Sequence, residues 1–240
     1  MLSAEREPPR LVAWSGDVYR LIPSRFPPVS VYEGLVANDR LSALVAVENL
    51  TNPRLRAESR LTEVVGTGPS ADVRLQNWNL APFAYGNPDG STFFDERRPC
   101  LEVADDRQTA LAISVTRRQA FLESTSEAPI GLDMRMFTTP IRGRFWDLRC
   151  HPPGLERKRR RELGATMPSE ADGILYHPPE RPTSTCLAIV KGEVLGRTLQ
   201  SAHYRYMWNG SRISMLYAFD ADGRQIEPAA LSGEANVLAA

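Results

Sequence analysis

The amino-acid sequence predicts a single compact α+β domain, and three observations predict it. Strand-like runs outnumber helix-like ones and are mixed with them, without the regular alternation of a doubly wound fold. No linker and no internal repeat divides the 240 residues, a length that suits one large domain. The composition, 42% hydrophobic and 24% charged, excludes fibrous, collagen-like and wholly disordered chains. The expected division is a frayed terminus over 1–10, the domain over 11–220 and a C-terminal tail over 221–240.

Each element has its own reason. Val18-Tyr19-Arg20-Leu21-Ile22-Pro23 reads as a short strand stopped by proline. Ser24 to Val29 is held extended, because each residue before a proline is pushed out of the helical region. From Ser30 to Leu50 the apolar spacings of three and four predict helix, ended by Asn52-Pro53. A strand-like piece at Leu61–Val65 precedes the cluster Gly66-Thr67-Gly68-Pro69-Ser70. That cluster lacks the Gly-Lys-Ser/Thr ending of a phosphate loop and reads as a turn. A loop from Gly86 to Ser91 leads to a strand at Cys100–Ala104. Asp105-Asp106 then supply N-cap residues for a helix through about Glu123. Leu111, Val115 and Leu122 make one stripe of that helix, and Ala110, Ile113, Arg117 and Phe121 a neighbouring one.

Beyond the helix, Asp133–Phe137 and Phe145–Leu148 read as two strands, followed by the basic run Arg157-Lys158-Arg159-Arg160-Arg161. Such a run ordinarily forms a solvated helical face, and nothing aromatic is interleaved with it to stack bases. Gly173–Tyr176 and Cys186–Val190 are further strands. The last pair, Tyr204–Trp208 and Arg212–Phe219, reads as a hairpin through Asn209-Gly210, a type I′ signal.

Charge and cysteines narrow the setting. The 29 basic residues balance 29 acidic ones, so no bulk field draws the chain to nucleic acid or anionic lipid. No uncharged apolar run reaches the ~18 residues of a membrane span, and the start lacks a cationic segment followed by an apolar one, as a secretory signal requires. Cys100, Cys150 and Cys186 match neither a disulfide framework nor a zinc pattern. A reducing cytoplasm is therefore expected, with no metal. The three histidines, His151, His177 and His203, show no metal-binding spacing, and no nucleophile elbow or HExxH helix is present. Composition and spacing alone stop at a cytoplasmic α+β domain.

Longer strings carry a resemblance. Arg20-Leu21-Ile22-Pro23-Ser24-Arg25-Phe26-Pro27-Pro28-Val29-Ser30 is followed by Ala43 to Arg54, which ends in Leu50-Thr51-Asn52-Pro53-Arg54. Then come Asn87-Pro88-Asp89-Gly90-Ser91, Thr109-Ala110 through Phe121-Leu122, Leu132-Asp133-Met134-Arg135, Asp172 to Tyr176, and Tyr204 to Gly210. In this order, from about Val18 to Tyr217, they resemble the longer form of the RES domain family. The resemblance implies a bacterial toxin of a toxin–antitoxin pair with an Xre-type antitoxin as partner, and a fold similar to ADP-ribosyltransferases. It also implies NAD as the substrate, consumed by phosphorolysis, hydrolysis or ADP-ribosyl transfer. In that chemistry an arginine holds the pyrophosphate bidentately, a tyrosine face holds nicotinamide, and a glutamate stabilises an oxocarbenium-like ribose.

The signature positions depart from the family. Thr92 stands at the arginine position after Asp89-Gly90-Ser91, Glu102 at the tyrosine position, Ile113 at the glutamate position, and Pro178 at the serine position after Tyr176-His177. Each charge-assisted contact so lost costs roughly 2–5 kcal/mol when its partner is buried. Arg97, Arg98 or Arg117 are candidates to reach phosphates instead, with Glu102 as the replacement carboxylate, while Arg20 and Arg25 persist from the family's first arginines. Two readings stay open: an NAD-consuming enzyme with a rearranged site, or a catalytically impaired binding member. The second acts through a protein partner, another copy of the chain, or a ligand in the leftover cleft.

Overall fold

The computed structural model describes residues 10–24, 81–83, 87, 89–219 and 223–238. Arg25, the helix expected over 30–50, the strand near 61–65 and the turn at 66–70 lie outside the described residues. So do residues 1–9 of the terminus expected to fray; Arg10 already belongs to a strand.

The described chain is a mixed, mostly antiparallel sheet with few helices, an α+β arrangement. It contains β1 (Arg10–Pro23), β2 (Leu101–Ala104), α1 (Arg107–Thr125), β3 (Ile130–Asp147), α2 (Arg157–Ala165), β4 (Gly173–Tyr176), β5 (Cys186–Ile189), β6 (Leu199–Trp208), β7 (Ile213–Ala218) and β8 (Gln225–Ile226). Two short 3₁₀ turns lie at Gly192–Val194 and Pro228–Ser232. The strand order is β1-β2-β5-β4-β3-β6-β7-β8, and β1 also pairs with β3. That extra pairing closes β1, β2, β5, β4 and β3 into a ring, from which β6, β7 and β8 continue as a wing.

The side-chain period of two gives the ring two faces. Leu101 and Val103, Leu175, Leu187 and Ile189, with Val18, Ile141 and Phe145, fill the interior. Ala104, Ile174 and Tyr176, Cys186 and Ala188 point the other way, into the larger core shared with Leu111, Val115 and Leu122 of α1. β4 and β5 therefore read as continuous apolar runs, buried on both faces.

Two expected strands are one. Asp133–Phe137 and all of Phe145–Leu148 but its last residue belong to β3, which runs unbroken through Pro140 and pairs with β1 from Arg10↔Asp147 to Pro23↔Met134. Proline usually argues against such a strand. Here the Pro140 carbonyl accepts from Gly196 N–H, 2.7 Å away on the side opposite β1. The proline nitrogen faces the same side, where pairing with β6 has stopped at Thr138, so no β1–β3 hydrogen bond is lost. β1 is longer than expected for the same reason: its partner is a full-length strand.

The turn between β6 and β7 also differs. Type I′ geometry needs positive φ at both central residues, and here Gly210 has it (φ 95°) while Asn209 does not. The Asn209 side-chain oxygen instead accepts from the N–H groups of Ser211 and Arg212, at 3.0 and 2.9 Å. This Asx-type turn widens the connection, and the register shifts between Met207 and Trp208.

The segment expected as a tail is part of the domain. β8 pairs with β7, Ile226 and Leu231 are buried, and the buried Gln108 of α1 ties the segment down. Its Nε2 donates to the carbonyls of Leu231 and Ala235 at 3.0 Å, and its Oε1 accepts from Val237 N–H at 3.1 Å. Ala, Gly, Ser and Pro make up half of 221–240 and leave no clear helix or strand period, which is why the sequence reads as a tail.

Candidate functional site

α1 builds one wall of a cleft. Asp106 caps its first turn, accepting from Thr109 N–H at 2.8 Å, and Arg181 pairs with the same carboxylate at 2.9 Å. Leu111, Val115 and Leu122 are buried below. The neighbouring stripe, Ala110, Ile113, Arg117 and Phe121, lies across from the ring and runs from the buried Ala110 to the exposed Phe121. A cleft of about 310 Å³ opens there, lined also by Tyr19, Arg20, Glu102, Arg118, Tyr176 and Cys186. β2 turns Glu102 toward it because Leu101 and Val103 take the interior face.

Glu102 is the polar centre. One carboxylate oxygen accepts from the Thr92 backbone N–H at 2.9 Å, and the other meets the Arg117 guanidinium at 2.8 Å. Glu102 is 14% exposed and Arg117 51%, so the pair sits at the mouth with its acid end inward. Burial pushes the Glu102 carboxyl up, but the Arg117 charge and the hydrogen bonds from Thr92 outweigh it and hold the group below the usual carboxylate range. The Glu102 charge in turn raises Arg117 against the opposing effect of burial. Thr92 reaches its position through a tight 91–94 turn, in which Ser91 N–H donates to the Phe94 carbonyl at 2.8 Å. Its side chain lies close enough to the Glu102 carboxylate and the Tyr176 phenol to favour their charged forms. The Tyr176 phenol, buried and beside the Glu102 charge, is pushed well above its ordinary value. Phe93 packs edge-on to it with ring centroids 5.0 Å apart.

The cleft continues past this pair. Arg20, Leu21, Glu102 and Arg117 also line a second space of about 240 Å³, completed by Asn87, Gly90, Ser91, Asp95, Arg98 and Cys100 among others. Burial brings the Arg20 guanidinium down to about 10, far enough above neutrality to stay a cation. Burial, then the Glu102 charge, push the Cys100 thiol up to about 12, which leaves it protonated and inert as a nucleophile.

The residues singled out by sequence are thus unevenly placed. Glu102 and Ile113 share the first cleft, and Thr92 touches it through its bonds to Glu102 while lining a small neighbouring cavity with Phe93, His151 and Tyr176. Pro178 is buried and is not among the lining residues of either cleft. Arg20, Arg98 and Arg117 line cleft walls, whereas Arg97 is exposed on the loop, its N–H donating to Asp95. Tyr19, Arg118 and Phe121 were not singled out as cleft residues. The second stripe of α1, read together with the following arginine, was the trace that could have shown two of them. Among the described residues no group of three or more His, Cys, Asp or Glu side chains could hold a metal ion, and no helix is long and apolar enough to cross a membrane.

A curated protein of Sinorhizobium fredii, "Uncharacterized protein y4oC", is 60% identical over 228 residues, spanning 95% of this chain and 98% of the relative. The chain belongs to the y4oC family. The match runs over nearly the whole of both chains. No family model matches the sequence.

Proposed function

We propose that this member of the y4oC family is a nucleotide-binding protein of RES type that no longer turns over NAD. Several features support binding. Arg20 and Arg117 stand on facing elements where a diphosphate could take a forked contact from each. Tyr19, Tyr176 and Phe121 offer aromatic surface beside them, suited to a planar base. One observation carries the loss of turnover: both oxygens of the cleft's carboxylate are engaged, and Ile113 stands where the RES resemblance puts the glutamate. Breaking the nicotinamide bond needs an available carboxylate beside the ribose. Here the Glu102 charge is already answered by Arg117.

The cellular role that goes with this reading is that of a binding member of a toxin–antitoxin type system in the cytoplasm. Its partner would be an Xre-type antitoxin or a second copy of the chain. Purified protein incubated with NAD, with and without phosphate, should bind NAD by calorimetry and release no nicotinamide. Nicotinamide release that disappears in Glu102→Gln would favour a second reading, in which catalysis has moved to Glu102. The observation behind that alternative is the presence of the Glu102 carboxylate in the cleft wall. Absence of NAD and AMP binding would overturn both.

A further inference from the structure

The basic run is not a uniform solvated face. Arg159 pairs with Glu162 at 3.0 Å, and Arg160 turns toward the small cavity that holds His151. Arg157 and Arg161, one turn apart on α2 and so on one face, both donate to the single Asp89 carbonyl, Arg161 at 2.9 Å. They line a groove of about 430 Å³ together with Phe93, Phe94, Asp95 and Arg98. On the loop side Arg98 lies over the Phe94 ring at 4.8 Å. The groove shares Asp95 and Arg98 with the space beyond Glu102, so it extends the same cleft.

The charge in the groove is unbalanced. Three guanidinium groups face one carboxylate, and Asp95 already accepts from the Arg97 backbone. The Nη1 of Arg161 is buried with no hydrogen-bond partner, an arrangement that costs free energy while it lasts. The close packing is deliberate in geometry: a Cβ on Gly90 would lie 2.3 Å from Arg161 Nη2, so the glycine is what admits the guanidinium here.

We propose that this groove is a phosphate-monoester subsite of the cleft, so that the ligand is a nucleotide carrying a phosphate beyond the one held at Arg20 and Arg117. The inference rests on the nucleotide reading of the cleft. A monoester brings about −1.5 to −2 charges and three acceptor oxygens. That matches converging guanidiniums better than a carboxylate, which brings one charge and two oxygens. Arg157 is exposed at the groove and Arg98 and Arg161 are partly so, so donors from all three can turn to a monoester.

Calorimetry with adenosine 2′,5′-bisphosphate, AMP and inorganic phosphate tests it on the full chain. The bisphosphate should bind about tenfold tighter than AMP or more, and the ratio should fall toward one in Arg157→Gln, whose side chain is exposed enough to be replaced without unfolding. Arg161→Gln, checked by thermal melt, should do the same. AMP binding with no gain from the second phosphate, in a protein that does not bind inorganic phosphate, would overturn the subsite and leave the nucleotide reading standing. Inorganic phosphate that binds the wild type but not Arg157→Gln, with no AMP binding, would keep the groove as a phosphate site and overturn the nucleotide reading and the bisphosphate ligand with it. No binding of any probe overturns both.

Discussion

Glu102 is where residue-scale physics decides most. Its depressed pKa gives stability that is fully present above the unfolded value of ~4.3 and is lost as pH falls through the folded value. Glu102→Gln should therefore melt lower at pH 7, by roughly 1–2 kcal/mol, because Arg117 is half exposed and water replaces part of the lost pair. The gap between the two proteins should narrow toward pH 3; melts across that range check both the size and the sign. Ile113 poses the converse case. Ile113→Glu would set a second carboxylate in the wall that holds Glu102, and like charges so placed raise one another's pKa. A titration of Glu102 by carbon-13 NMR should then show its pKa move up.

Element-scale behaviour follows from how α1 and α2 end and pack. α1 stops at Ser126, whose φ of 52° lies in the left-handed region that favours glycine. Ser126→Gly should stabilise the protein by about 0.5–1 kcal/mol, measured by urea unfolding. α2 is pressed against the 91–94 turn at Gly164, where a Cβ would stand 2.1 Å from the Phe93 carbonyl oxygen. Gly164→Ala should cost about 1–3 kcal/mol or more by overpacking. It should also shift the Thr92 and Glu102 amide resonances, since the same turn carries Thr92. Both helices were legible from sequence. The cap at Asp106 and the two stripes of α1 need only local spacing, and the observed helix extends the expected one by two residues. The strand β3 was not legible as one element, because Pro140 forbids it locally and only a neighbour's departure makes the proline harmless.

For the whole molecule, the ring closed by β1 and β3 and the docked C-terminal segment are the decisive features. Leu231, buried against α1 and β7 rather than trailing in solvent, predicts a loss of about 2–5 kcal/mol for Leu231→Ala, read from chemical denaturation. A true tail would give no change. The cleft is likewise a property of the whole: β2 supplies Glu102, α1 supplies Arg117, β1 supplies Arg20, and a loop held by α2 supplies Thr92.

The sequence by itself determined the α+β class, strands read as Cys100–Ala104, Gly173–Tyr176 and Cys186–Val190 to within a residue of their ends, the helix after Asp106 and its second stripe with Ile113 and Arg117. These depend on periodicity and capping, which neighbours a few residues apart express. Only the tertiary structure decided that Glu102 is engaged on both oxygens, that Arg157 and Arg161 converge on the Asp89 carbonyl, that Pro178 stays out of the cleft, and that 223–238 belongs to the core. Each of those turns on partners between about 10 and 130 positions away in the chain, and no local pattern records which distant group will answer a charge or cover an apolar side chain.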